Sequence, residues 1–137
     1  MKIGAIDVFS KAFDENNYGW ETMARKLNSK QEIRDFVVKV TAEARHHASE
    51  VENIISDLEH EVLNKINLPT DTFTVYERNG QLARTCWVVF SGNRYAFSYN
   101  YEKKKIELRE WSIQGDVRTA FDNSTPASLV KSVIAQL

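Results

Sequence analysis

The apolar positions of this chain repeat with two different periods, helical in the first half and alternating in the second. Ile6, Phe9 and Phe13 recur at three- and four-residue spacing, with Ala5 and Ala12 beside them. That spacing predicts a short amphipathic helix, ended by Asn16, Asn17 and Gly19. A second short helix is expected over residues 21–27, burying Met23, Ala24 and Leu27. Ser29-Lys30-Gln31-Glu32 then reads as a capping box, in which the Ser hydroxyl accepts the N–H three residues on and the Glu reaches back to the cap. From there Ile33, Val37, Val40, Ala44, Ala48, Val51, Ile55, Leu58, Val62 and Ile66 recur near 3.6 residues, with no Pro or Gly before Pro69. The pattern predicts one amphipathic helix of roughly 55 Å at 1.5 Å per residue.

That length carries a consequence. A compact domain of this size has a radius of gyration of only about 14 Å. An unbroken rod would overhang any sheet packed on it. Either it kinks near residues 44–48, or its ends pack on the N-terminal helices or on a second copy. The last option predicts a homodimer formed through the long helix.

From residue 72 the period is two. Residues 72–78, 82–90, 94–101, 106–113 and 117–121 read as five strands. Asn79-Gly80 is the preferred central pair of a type I′ hairpin turn, and Ser91-Gly92-Asn93, residues 102–105 and Gln114-Gly115-Asp116 suit the later connections. Connections this short force antiparallel neighbours, so the strands form a meander. Thr125-Pro126 announces a last helix, with Leu129, Val130, Val133, Ile134 and Leu137 on its apolar face. The expected class is therefore α+β: N-terminal helices including one long amphipathic helix, a five-stranded antiparallel meander and a C-terminal helix. Residues 1–137 are expected to form a single domain, with a helical part over 1–68, a sheet over 72–121 and a final helix over 125–137.

Neither sheet face is wholly polar. Tyr95, Phe97, Tyr99 and Tyr101 share one side of their strand, while Arg94, Ala96, Ser98 and Asn100 share the other. Ile106 and Leu108 oppose Trp111 and Ile113 in the same way. The sheet is thus expected to be covered by the long helix on one face. On the other, the C-terminal helix or a partner would cover part of it. The tyrosine row is either core or an exposed surface for stacking bases or gripping a protein.

Charge divides the chain in the same place. The 137 residues carry a formal charge of −1, but residues 1–71 sum to −4 and residues 72–137 to +3. Between residues 43 and 61 of the long helix Glu43, Glu50, Glu52, Asp57, Glu59 and Glu61 stand against Arg45 alone. Such a face is either solvated or docks on a basic partner. No apolar run approaches the roughly 20 residues needed to span a bilayer. Asp7 inside the N-terminal apolar stretch argues against a signal peptide, and the one cysteine agrees with a reducing compartment. The expectation is a cytoplasmic protein that does not engage membranes.

Candidate chemistry is sparse. Glu43 and His46 have the spacing of one half of a carboxylate-bridged di-metal site, but such a site needs the motif twice, and His46, His47 and His60 fit a solvated helix face. Cys86 sits within a strand beside Trp87 and Val88, where burial raises a thiol pKa and leaves it inert. The five glycines are scattered and form no phosphate loop. Glu107 and Arg109 share a strand face, as a cross-strand ion-pair arrangement requires. No metal, cofactor or catalytic residue is expected.

The remaining positive features are surfaces. Tyr95, Tyr99 and Tyr101 with Arg94, Lys103, Lys104 and Lys105 form a candidate partner-binding sheet surface. Glu43, Glu50, Asp57 and Glu61 form a candidate acidic docking face. Together they predict a non-enzymatic interaction module that binds, and by binding inhibits, a protein partner. Small proteins of this character occur among phage and mobile-element accessory factors. The alternative is a single-stranded nucleic-acid binder that uses the basic, aromatic-rich sheet.

Overall fold

The computed structural model describes residues 22–68, 70–78 and 81–137. The helix expected over residues 5–13 and the Asn79-Gly80 turn lie outside these. The segment expected as a second helix is instead a strand, β1 (Thr22–Lys26). It pairs antiparallel with β2 (Thr72–Arg78), from Thr22 opposite Arg78 to Lys26 opposite Thr74. The Leu27 N–H then donates to the Phe73 carbonyl at 2.8 Å. A single helical turn pays its nucleation entropy without neighbours to propagate it. The edge of β2 offers a complete ladder, so pairing wins, and Leu27 is buried while Ala24 faces solvent.

The four later strands follow the alternation closely: β3 (Gln81–Phe90), β4 (Asn93–Asn100), β5 (Lys105–Glu110) and β6 (Val117–Phe121). With β1 and β2 they make, among the described residues, a six-stranded antiparallel meander in sequence order, one strand more than expected. The register slips between Leu108 and Arg109, which stand opposite Thr119 and Val117. Arg118 is the extra residue of that bulge.

The long helix is two helices. α1 (Lys30–His47) begins at the foreseen cap, with Ser29 Oγ accepting the Glu32 N–H at 3.1 Å. Glu32 Oε1 reaches back to the Asn28 N–H at 2.6 Å, one residue beyond the usual partner. After His47 the chain passes through a 3₁₀ turn (Ser49–Val51) into α2 (Ile54–Lys65). The cause lies 70 residues away. Asn123 Oδ1 accepts the N–H groups of Asn53 and Ile54 at 2.9 and 3.1 Å, and its Nδ2 donates to the Ser49 carbonyl at 2.7 Å. Its backbone N–H donates to the Glu50 carbonyl at 2.8 Å. One asparagine thus satisfies end groups that two helix termini would leave open. The break folds the apolar stripe back over the sheet, burying Val51, Ile54, Ile55, Leu58, Val62 and Leu63. With no rod to overhang the sheet, the packing reason for a dimer through this helix disappears.

The last helix, α3 (Ala127–Ala135), starts with Pro126 itself at the cap, while Thr125 Oγ1 accepts the Asp122 N–H at 3.0 Å. Its Val130 and Ile134 join the same core as α1 and α2. The three described helices therefore cover one sheet face, made by Phe73, Val75, Val88, Phe90, Tyr95, Phe97, Leu108 and Phe121. The expectation that the C-terminal helix covers the opposite face is corrected by this shared core. Its apolar stripe packs with α2 in the main core. On that outer face a smaller buried group stands apart from the main core: Tyr76, Thr85, Trp87, Ala96 and Glu107. No described helix is long and apolar enough to cross a membrane.

Candidate interaction site

The sheet has two ends of opposite character. One holds the β4–β5 turn, the 3₁₀ turn and the β6–α3 connection. The other holds the β3–β4 turn and the loop joining β5 to β6.

At the second end β5 stops at Glu110, three residues short of its expected length, because Trp111 adopts φ +71°. For a bulky aromatic this left-handed backbone is an outlier costing about 1–2 kcal/mol. The loop that imposes it is pinned at many points. The Trp111 N–H donates to the Arg94 carbonyl, and the Ser112 N–H to the Glu110 carbonyl, both at 2.8 Å. Ser112 accepts from Gly115 N–H through its carbonyl (2.9 Å) and from Gln114 N–H through its hydroxyl (3.2 Å). Gly115 packs against the Glu110 backbone so closely that a Cβ would collide with its carbonyl oxygen. Ile113 is buried beneath. Above this rigid base Trp111 is 66% exposed and Val117 44% exposed.

A buried polar chain supports the loop from below. Glu107, only 4% exposed, accepts from Arg109 Nη2 at 2.7 Å and from Asn100 Nδ2 at 3.1 Å. Arg109 Nη1 donates to the Gly115 carbonyl at 2.7 Å. Two strands away from Glu107 on the same cross-strand row, Thr85 Oγ1 is buried with no hydrogen-bond partner among the described residues. Arg94 lies with its guanidinium 5.7 Å from the Trp87 ring centre, and Trp87 packs on Tyr76 at 5.0 Å. Burial raises the Tyr76 hydroxyl pKa, with Arg94 pulling it partly back.

The first end neutralises itself. Lys105 pairs with Asp122 at 2.9 Å, and Lys104, at φ +57°, reaches Glu50 at 3.9 Å. Ser124 donates to Asp122 through both its hydroxyl and its N–H, and with Lys105 this holds the carboxyl down at about 2. Tyr101 is exposed and packs edge-on against half-buried Tyr99 at 4.9 Å. Burial raises the Tyr99 hydroxyl pKa, and Glu50 adds to the effect.

The sheet surface read from the sequence is therefore split. Tyr95 is core on the helix-covered face, and Tyr99 is half-buried there. Arg94 belongs to the outer face at the opposite end of β4 from Lys103, Lys104 and Lys105, about 20 Å away at 3.3 Å per residue. Of the acidic group, Glu43 is exposed on α1, Glu50 lies in the 3₁₀ turn, and Asp57 and Glu61 are half-buried on α2. The basic and acidic surfaces meet each other within one chain, through Lys104 and Glu50.

His46, His47 and His60 are exposed, and no group of metal-ligating side chains converges among the described residues. Burial pushes the Cys86 thiol up to about 12. Trp111 was read as one more alternating strand residue. The only sequence hint of its exposure is the Gly115-Asp116 turn that follows it so closely.

Among the described residues, three helices on one face of a six-stranded meander, with a strained aromatic corner, define an α+β fold. The chain belongs to the family described as "Integron cassette protein VCH_CASS1 chain", whose model matches residues 33–131. That span runs from the first turn of α1 into α3 and contains both sheet ends. No curated protein matches the chain.

Proposed function

We propose that this protein is a non-enzymatic binding module that grips a protein partner with the Trp111 corner, and that occupying the partner's surface inhibits it. The observation that carries this reading is the pairing of exposure with backbone strain at Trp111. Strained backbone persists where its surroundings over-determine it, and it clusters at ligand clamps. Trp and Arg dominate the energetics of protein interfaces, and here an exposed Trp stands directly across from an Arg. An accessory role for a mobile-element product is consistent with the cassette family.

Affinity capture from cells that carry the gene tests the reading, with wild type and Trp111→Ala as parallel baits. A protein retained by wild type and lost by the variant is the expected result. Equal capture by both baits contradicts the role given to this corner.

A further inference from the structure

Arg94 differs from the cations around it. Arg109 has Glu107 at 2.7 Å and Arg118 has Glu110 at 2.7 Å. At the far end Lys104 and Lys105 have Glu50 and Asp122. Arg94 has no carboxylate partner among the described residues, although it is half-buried. Its guanidinium lies over the Trp87 ring, which holds the group in place without using its in-plane N–H donors. A preorganised planar fork of this kind suits a carboxylate, taken in a bidentate manner.

We infer that the Trp111 corner recognises an acidic peptide segment, with Arg94 binding one carboxylate and Trp111 covering an apolar side chain next to it. This rests on the proposed function and names the chemistry of its partner. The Trp111 N–H bond to the Arg94 carbonyl fixes the two residues opposite each other, so adjacent residues of one segment can reach both. Val117, 44% exposed, extends the apolar side.

Charge favours a carboxylate over a phosphodiester chain. Nucleic acid binds along a track of successive cations. Here Arg109 and Arg118 are already neutralised, and Asp116 stands exposed in the same loop. One available cation among carboxylates fits one anionic side chain and repels a polyanion. Addition of a partner strand to β6 is disfavoured as well, because the bulge at Arg118 interrupts the ladder on that strand.

A library of random peptides of about twelve residues, displayed on phage and selected on immobilised full-length protein, tests the inference. The expected peptides carry Asp or Glu beside a large apolar residue. Synthetic labelled copies should lose about tenfold or more in affinity with Arg94→Gln and with Trp111→Ala, as for a charge-assisted pair and an aromatic anchor. Exchanging the peptide's Glu for Gln should weaken wild type and leave Arg94→Gln nearly unmoved. Arg94→Lys, which keeps the charge and loses the fork, should fall between, and circular dichroism should show each variant folded.

Peptides without acidic residues that need Trp111 but not Arg94 would overturn the inference while leaving the binding corner standing. Selection that yields nothing dependent on Trp111 would overturn both. Arg94-dependent binding of a fluorescent oligothymidylate would assign the corner to nucleic acid and overturn the carboxylate.

Discussion

The two ends of the sheet are built from similar residues and put to opposite uses. At the β4–β5 turn, Lys104, Lys105, Glu50 and Asp122 pair among themselves, and Asn123 ties the 3₁₀ turn to the start of α2. Four of the charged groups there are thus paired inside the chain. At the β5–β6 loop the hydrogen bonds hold Trp111 outward in a conformation an aromatic avoids, and Arg94 has no counter-ion among the described residues. Satisfied polar networks add rigidity, whereas a rigid network that exposes an aromatic gains nothing for the fold and fits a role outside it. The first end makes the structure. The second carries backbone strain at an exposed aromatic.

Substitutions separate the two ends. The largest effect is expected from Asn123→Ala, which leaves the N–H groups of Asn53 and Ile54 and the Ser49 carbonyl without their partner. A loss of about 3 kcal/mol in unfolding free energy is expected, from a lost cap plus a part-buried donor left unsatisfied. Denaturant midpoints at constant slope measure it, and partner binding by the folded fraction should persist.

Gly115→Ala comes next, because the new Cβ meets the Glu110 carbonyl. A cost of about 2 kcal/mol is expected for backbone displacement in a packed loop. Here, unlike Asn123→Ala, partner capture should fall along with stability, since the base of Trp111 shifts.

The smallest effect concerns acid. Asp122 has a folded pKa lowered from 3.8 to about 2 by Ser124 and Lys105. Its contribution is present above pH ~4 and is lost as pH falls through the folded value. Asp122→Asn should therefore be less stable than wild type near neutrality. The gap should narrow between pH ~4 and pH ~2, read from thermal midpoints at each pH.

Local pattern carried much of this architecture. The alternation in residues 72–121 places every strand from β2 to β6, because side-chain period follows directly from the pleat. The capping box at Ser29 is equally local, and the structure keeps it. What the pattern could not carry is any feature set by a distant residue. The apolar period runs unbroken through residues 48–53, and only Asn123 ends it. β1 was read as helix because its apolar positions fit that period, while its partner strand begins nearly fifty residues later. For the site, the tyrosines and lysines of β4 and its turn stood out by residue type, but strand parity sends Tyr95 to the core and Arg94 to the other face. Trp111 looked like an ordinary strand residue, since alternation alone does not reveal a backbone that reverses its sign of φ.

The central claim is that Trp111 is held for binding rather than for folding. Trp111→Gly tests it most directly, with unfolding free energy and partner capture measured on the same preparation. Relief of the left-handed backbone and the greater entropy of unfolded glycine oppose each other, so stability should stay within about 1 kcal/mol of wild type while capture is lost. A variant destabilised well beyond that margin that still captures the partner would show Trp111 to be a structural residue and contradict the account.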